Sequence, residues 1–421
     1  MRTILLLIVF CLVAATAVAQ VTVVQDAQGA TLHVDGRKIM VNGMNWDYFP
    51  IGTTYTYSLW DQPDTFIRAA LDQEMSMLKA MGVNAVRQYT GIPAKWIQYI
   101  FEEYGIYTML NHSFGRYGLT IDGAWVAHTD YADPRVRDVL LREVRELAEA
   151  YQDTPGLLLY LLGNENNYGL FWEGAETEDI PEGQELATGR ARPMYQLFND
   201  GALAIKEIDT NHPVAICNGD LQFLDIIAEE CAAVDIFGTN IYRGKSFGDA
   251  FQRVKDALDK PLLFTEFGAD AYNAQTRRED QRAQAGYVLA NWQEVYAHAA
   301  GMGKTGISLG GFTFQFSDGW WKVDQRNNLD IHDTSASWAN GGYKEDYEKG
   351  QNNMNEEWFG VCAKAPTDEQ GFTPLHPRAA YYVLQKVHQF APYSAKANQR
   401  TLQKHFAKIK LKRAVKKAKR K

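Results

Sequence analysis

The chain has 421 residues, 46% of them apolar and 22% charged, with a formal net charge of −8. That balance is an ordinary globular one and excludes a disordered chain, while the length suits one large barrel-type domain or two medium ones. From Lys396 onward there are 12 Lys or Arg and no Asp or Glu, which splits the −8 into +12 on the tail and −20 on the rest; so acidic a body argues against a nucleic-acid substrate.

Residues 1–19 combine Arg2, an apolar core over 4–13 and Ala17-Val18-Ala19, the pattern of a secretory signal cleaved after Ala19, which predicts a secreted or periplasmic protein. The apolar part is shorter than the roughly 20 residues a membrane span needs. Cys217, Cys231 and Cys362 are an odd set without metal-type spacing; either Cys217 pairs with Cys231 or all three are buried thiols. Apolar stretches at 21–24 and 31–34, followed by 36–41, predict a small N-terminal hairpin plugging the bottom of the domain that begins at residue 41.

From residue 41 the chain alternates. Strand-like stretches at 41–46, 82–87, 105–111, 157–167, 213–217, 234–240, 261–270 and 306–314 are separated by helical periodicity at 64–81, 94–104, 133–151, 191–208, 221–230, 247–258 and 280–300, with a last helix at 377–388. Asp133-Pro134 is a good N-cap followed by Pro at the first helical position. Eight strands alternating with helices is the arithmetic of an α/β (β/α)8 TIM barrel. The expected organisation is a signal at 1–19, a catalytic barrel at 20–395 and a basic tail at 396–421. The tail has apolar residues partly at helical spacing; it either contacts an anionic cell surface or, as the favoured reading, is a solvated, disordered end.

In such a barrel, residues just past each strand converge on one rim. Asp47, Arg87, His112, Asn164, Glu165, Tyr242, Glu266, Trp320 and Trp321 collect there. Glu165 and Glu266, at the ends of strands four and seven, predict a retaining glycosidase pair about 5–5.5 Å apart. Glu165 reads as acid/base and Glu266 as nucleophile, kept ionised by Arg87 and Tyr242, with Asn164 on the sugar 2-hydroxyl. Trp320 and Trp321 offer flat faces for a sugar ring or fill core; His112 and Asp47 are either site or wall, and Tyr48, Trp172 and Trp338 are further cleft candidates. Two long loops, 168–189 with six acidic side chains and 317–373, read as subsite walls. No cofactor and no metal are expected, since Asp324, Asp330 and Asp333 match no known calcium spacing.

Gly163-Asn164-Glu165 and Thr265-Glu266-Phe267-Gly268, with Arg87 and Asn240-Ile241-Tyr242 in support, resemble the signatures of clan A glycoside hydrolases over roughly residues 41–393. The segment 261–270 is similar to the family 2 catalytic domain. Asp47-Tyr48-Phe49-Pro50, Arg87-Gln88-Tyr89 and Tyr104-Gly105-Ile106-Tyr107 look more like family 72 glucanosyltransferases, and the β-sandwich domains usual in full-length family 2 enzymes do not precede the barrel. The resemblance implies a β-glycoside hydrolase or transglycosidase acting on a β-linked oligo- or polysaccharide such as a glucan. The rival reading is a non-catalytic carbohydrate-binding barrel held at the cell surface by its basic tail.

Overall fold

The computed structural model describes residues 18–89, 91–170, 189–322, 326–335 and 354–419. Eight parallel strands close a barrel in chain order: Val41–Asn45, Ala85–Gln88, Tyr107–His112, Leu157–Leu162, Val214–Gly219, Ile236–Asn240, Leu262–Phe267 and Ser308–Thr313, the last pairing back to the first. Helices cover it: α1 (Asp64–Met81), α2 (Ala94–Tyr104), α3 (Pro134–Tyr151), α4 (Ala191–Lys206), α5 (Leu224–Glu230), α6 (Ala250–Leu258), α7 (Gln281–Ala297) and α8 (Ala379–Val387). The fourth strand is buried at all six positions, as its unbroken apolar run requires in a sheet covered on both faces. Its Leu159 and Leu161 point inward with Val41, Met109, Ile236 and Leu263, while Leu157, Tyr160 and Leu162 join the layer beneath the helices. At the start of α3 the Asp133 carboxylate accepts the Arg135 N–H at 2.8 Å, and Val136, Leu140, Val144 and Ala148 recur every four residues on its buried face.

The predicted plug is a three-stranded antiparallel sheet, Val21–Asp26, Gly29–Val34 and Arg37–Ile39. Val21 N–H donates to Asn211 O and Ala30 N–H to Gly306 O, both at 2.8 Å, next to the starts of strands five and eight. Gly29 makes the approach possible: a Cβ there would lie 2.1 Å from Gly306 O.

The expectation of an unstructured tail is not met. Residues Gln399–Ala407 form α9 and Leu411–Ala418 form α10. Asn398 and Thr401 make a reciprocal capping box, Leu402, Phe406 and Ala414 are buried, and Leu411, Val415 and Ala418 pack on the same core. Packing therefore runs on past residue 395. The long loop after strand eight is tied down by Arg378, whose guanidinium meets both Asp318 oxygens at 2.5 and 2.8 Å and Glu279 at 2.6 Å. Cys217, Cys231 and Cys362 are buried free thiols; Cys217 belongs to the barrel's inner layer and Cys231 to the layer under the helices, so the strand wall separates the proposed pair. No helix among the described residues is long and apolar enough to cross a membrane.

Two histidines of the helical layer are held neutral. Burial pulls the His388 imidazole down to about 4, and burial with Lys304 pulls His298 down to about 3, from an ordinary value near 6.5. His388 has its Nδ1 3.2 Å from Met81 O and packs edge-on to Trp292, while its Nε2 is buried without a hydrogen-bond partner. A proton on that ring binds the unfolded chain more tightly than the folded one, so stability is full above the ordinary value and falls as pH drops toward the folded one. Wild-type protein is expected to lose about 3 kcal/mol through His388 between pH near 6.5 and about 4. Urea titrations across that range should show a shallower decline for His388→Gln; parallel curves would remove His388 from the account.

Candidate active site

The C-terminal ends of the strands bring the Arg87 guanidinium, two carboxylates and several amides into the barrel mouth. Arg87, leaving strand two, has a fully buried side chain. Its Nη1 donates to Glu266 Oε1 at 2.8 Å and to Thr265 O at 3.3 Å; Nε and Nη2 donate to Asn111 Oδ1 at 3.1 and 2.7 Å, and Nη2 also to Asn164 Oδ1 at 2.9 Å. A buried guanidinium is tolerable only when its N–H groups are matched in this way. Tyr89 Oη lies 2.6 Å from Glu266 Oε1 and 2.8 Å from Asn45 Oδ1, and Tyr242 Oη donates to Glu266 Oε2 at 2.7 Å. Burial raises both phenols well above their ordinary value; the Glu266 charge adds to this, and Arg87 opposes it at Tyr89. Both hydroxyls therefore keep their protons and donate them toward Glu266.

Glu165 sits across the mouth at the end of strand four, less buried than Glu266, with Oε1 accepting from Asn240 Nδ2 at 2.9 Å. Its backbone is left-handed, φ 59°, a conformation costing a non-glycine residue about 1 kcal/mol or more. The next two residues, both asparagines, hold it there. Asn166 accepts the Asn164 N–H at 2.8 Å and donates to Phe114 O at 2.9 Å, while Asn167 exchanges two hydrogen bonds with Gly219 at 2.7 and 2.9 Å. Glu165 N–H itself donates to Cys217 O at 2.9 Å.

Of the residues expected at the rim, Arg87, Asn164, Glu165, Tyr242 and Glu266 share one network. Asn164 spans it, accepting from Arg87 and Asn240 and donating to Tyr117 Oη at 2.7 Å. His112 does not join: its Nε2 is 3.4 Å from Glu143 of α3 and its Nδ1 accepts the Phe114 N–H, so the inward residue of strand three is Asn111. Successive strand residues face opposite ways, so of the two readings left open for His112 its contacts fit the wall, and Asn111 faces the network. Asp47 belongs to a charge cluster beside the mouth: burial raises its carboxyl, against the pull of Lys364 and Lys322. Trp320 has one face stacked on His332, which stacks in turn on Trp358 at 3.6 Å between centroids. Trp321 lies against Phe49 and Tyr55, with Lys322 Nζ 4.7 Å from its ring centroid. Tyr48 packs in the core against Tyr57 and Phe66 rather than in the cleft. Trp172, Trp338 and Asp324 lie outside the described residues, among which no group of three or more His, Cys, Asp or Glu could hold a metal ion.

Sequence alone did not mark Tyr89, Asn240, Asn111, Asn45 or Cys217 as site residues. Two of them carried a signal: Tyr89 comes two residues after Arg87 and Asn240 two before Tyr242, and alternate positions of an extended chain share a face.

A sequence profile of the glycosyl hydrolases family 2 TIM barrel domain matches residues 63–299, more than half of the chain. The chain belongs to glycosyl hydrolase family 2. No curated protein matches it. Among solved structures the family 2 barrel is similar to a β-galacturonidase of Eisenbergiella tayi bound to galacturonate, at 17% identity and TM-score 0.54 over 89% of this chain and 55% of that one. A β-glucuronidase of Parabacteroides merdae gives 17% identity and TM-score 0.53 over 88% and 39%, and β-glucuronidase 3 of Bacteroides uniformis 15% and 0.52 over 88% and 40%. This chain thus spans about half the length of those proteins, or less.

Arg87 and Glu266 in this family 2 barrel are a buried ion pair, and removing one partner strands the other's charge. Arg87→Met is expected to cost about 3–5 kcal/mol of unfolding free energy. Arg87→Met combined with Glu266→Gln should cost clearly less than the two changes summed, and chemical denaturation of all four proteins in a double-mutant cycle checks it.

Proposed function

We propose that this chain is a retaining β-glycoside hydrolase or transglycosidase with Glu266 as nucleophile and Glu165 as acid/base. The observation that carries the reading is the grip on Glu266, one guanidinium and two phenol hydroxyls on its two oxygens, with Glu165 linked to the same cluster through Asn240. A carboxylate so held has both oxygens fixed and aimed. Glu165, nearer solvent than Glu266, accepts from the neutral Asn240 amide and is the group assigned to proton transfer.

In the first step a Glu266 oxygen attacks the anomeric carbon as the glycosidic C–O bond breaks, and the Glu165 proton passes to the leaving oxygen. In the second, Glu165 takes a proton from water, whose oxygen attacks the anomeric carbon and expels Glu266. A sugar hydroxyl in place of that water gives transfer instead of hydrolysis. Arg87 and the two tyrosines hold Glu266 and stabilise its charge when it leaves, and Asn164 is placed for the sugar 2-hydroxyl. The substrate is a β-linked oligo- or polysaccharide, a glucan or a relative of it. β-Uronides join the candidates because the structural neighbours are named for galacturonide and glucuronide. Export through the N-terminal apolar segment is part of the same reading.

Glu266→Gly is expected to lose at least about 10⁴-fold in kcat and to be rescued by azide as an α-glycosyl azide, because the anion takes the nucleophile's place and inverts the anomeric centre once. Glu165→Ala should keep the first step only for substrates with good leaving groups, and azide should then give the β product. The substrate panel is β-1,2-, β-1,3-, β-1,4- and β-1,6-glucans, mannans and aryl β-uronides, each with and without an acceptor sugar. Full activity of Glu266→Gln on whatever the parent cleaves would sink the nucleophile assignment, and binding without turnover across the panel would favour the non-catalytic barrel.

A further inference from the structure

On the barrel's outer wall, α8, α9 and α10 enclose a cavity of about 400 Å³. Lys386, Lys408, Lys410, Arg413 and Lys417 line it, and no Asp or Glu does. None of the five is in an ion pair with a carboxylate among the described residues; Lys410 donates only to Ala407 O and Lys417 to Gln385 Oε1. Five cations around one hollow, with no carboxylate among its lining residues, repel one another.

Two further observations mark the hollow as a place for a ligand. Val383 and Ile409 give it apolar surface, so an anion with a non-polar body is accommodated. Tyr382, which also lines it, is 6% exposed, and its hydroxyl has no hydrogen-bond partner among the described residues; Lys417 Nζ stands 4.3 Å from its ring centroid. The ring, not the inaccessible hydroxyl, is the part of Tyr382 that the hollow presents to a ligand, with Lys417 over its face.

We propose that this cavity is a docking site for the phosphate head groups of an anionic phospholipid bilayer. The apolar side of α10, Leu411, Ala414 and Val415, is already turned onto the barrel, which leaves no face to insert among acyl chains. Contact is therefore electrostatic and made by lysine and arginine heads. The hollow takes a single head group, and exposed Lys404, Lys412, Lys416 and Lys419 around it extend the positive area beyond what one small anion would meet. A plane of repeated anions matches that layout. The remaining chain, at −20, is repelled by the same surface, so only this wall faces it. Docking here does not depend on the chemistry at the barrel mouth.

The test is flotation of the full chain with phosphatidylcholine vesicles, with and without about 30 mol% phosphatidylglycerol. Binding is expected only to the anionic vesicles and should be lost at about 0.5 M salt, where charges are screened within a few ångströms. The triple variant Lys408→Glu, Arg413→Glu, Lys417→Glu should bind at least about tenfold more weakly. A control triple, Lys404→Glu, Lys412→Glu, Lys419→Glu, changes net charge equally outside the cavity and should lose less; thermal melts check that both fold. Equal loss in the two triples overturns the cavity as the site. Equal binding to neutral vesicles, no vesicle binding, or retention on a soluble acidic polysaccharide such as alginate in place of vesicles overturns the bilayer as ligand. The wild-type arms decide between these outcomes even if a variant fails to fold.

Discussion

Everything at the mouth of this barrel depends on placing one guanidinium where water does not reach. Arg87 keeps its charge in the interior, and a bare cation there would be prohibitively unstable. One carboxylate, Glu266, balances it; the rest of its N–H groups are met by amide and carbonyl oxygens of Asn111, Asn164, Asn240 and Thr265. Neutral amides are the right complement, since further carboxylates would compete for the same cation and leave a surplus negative charge under the rim. The richness of asparagine at the strand ends is thus an electrostatic consequence. It also keeps Glu165 apart in kind, bonded to an amide and not to the cation.

Charge segregation acts on a larger scale as well. Six of the twelve cations of the C-terminal tail, Arg400, Lys404, Lys412, Arg413, Lys416 and Lys417, lie on two helices packed on α7 and α8, while the body carries the negative excess. Folding the tail onto the wall turns a run of like charges into a surface with a defined position relative to the mouth. The capping box at Asn398 and the burial of Leu402 and Phe406 are what set that position.

Much of this was legible in the sequence, for identifiable reasons. Strands covered on both faces read as short apolar runs, and Asp133-Pro134 announces a helix start, so the alternation and the eightfold count came through. The two Glu residues were visible because each ends such a run. What stayed open or was misread has equally local causes. His112 and Asn111 differ by one position in a strand, and periodicity does not fix which of two neighbours faces inward when both are polar. Trp320 belongs to a stack with His332 and Trp358, partners 12 and 38 residues further along, which no local pattern reveals. The tail looked solvated because its charge density is high; the apolar residues that tether it are few, and what decides their fate is a complementary surface on α7 and α8 that exists only after folding.

The side chain of Asn240 is a planar, rigid unit with one end on Glu165 and the other facing Thr265 and Cys217, while its neighbour Ile241 donates its backbone N–H to Glu266 O. Strand six therefore works as a gauge block between the two carboxylates. Their spacing is set by one amide, one sheet register and the asparagines that follow Glu165. The barrel wall, through Asn240, thus carries part of the geometry that relates the two carboxylates.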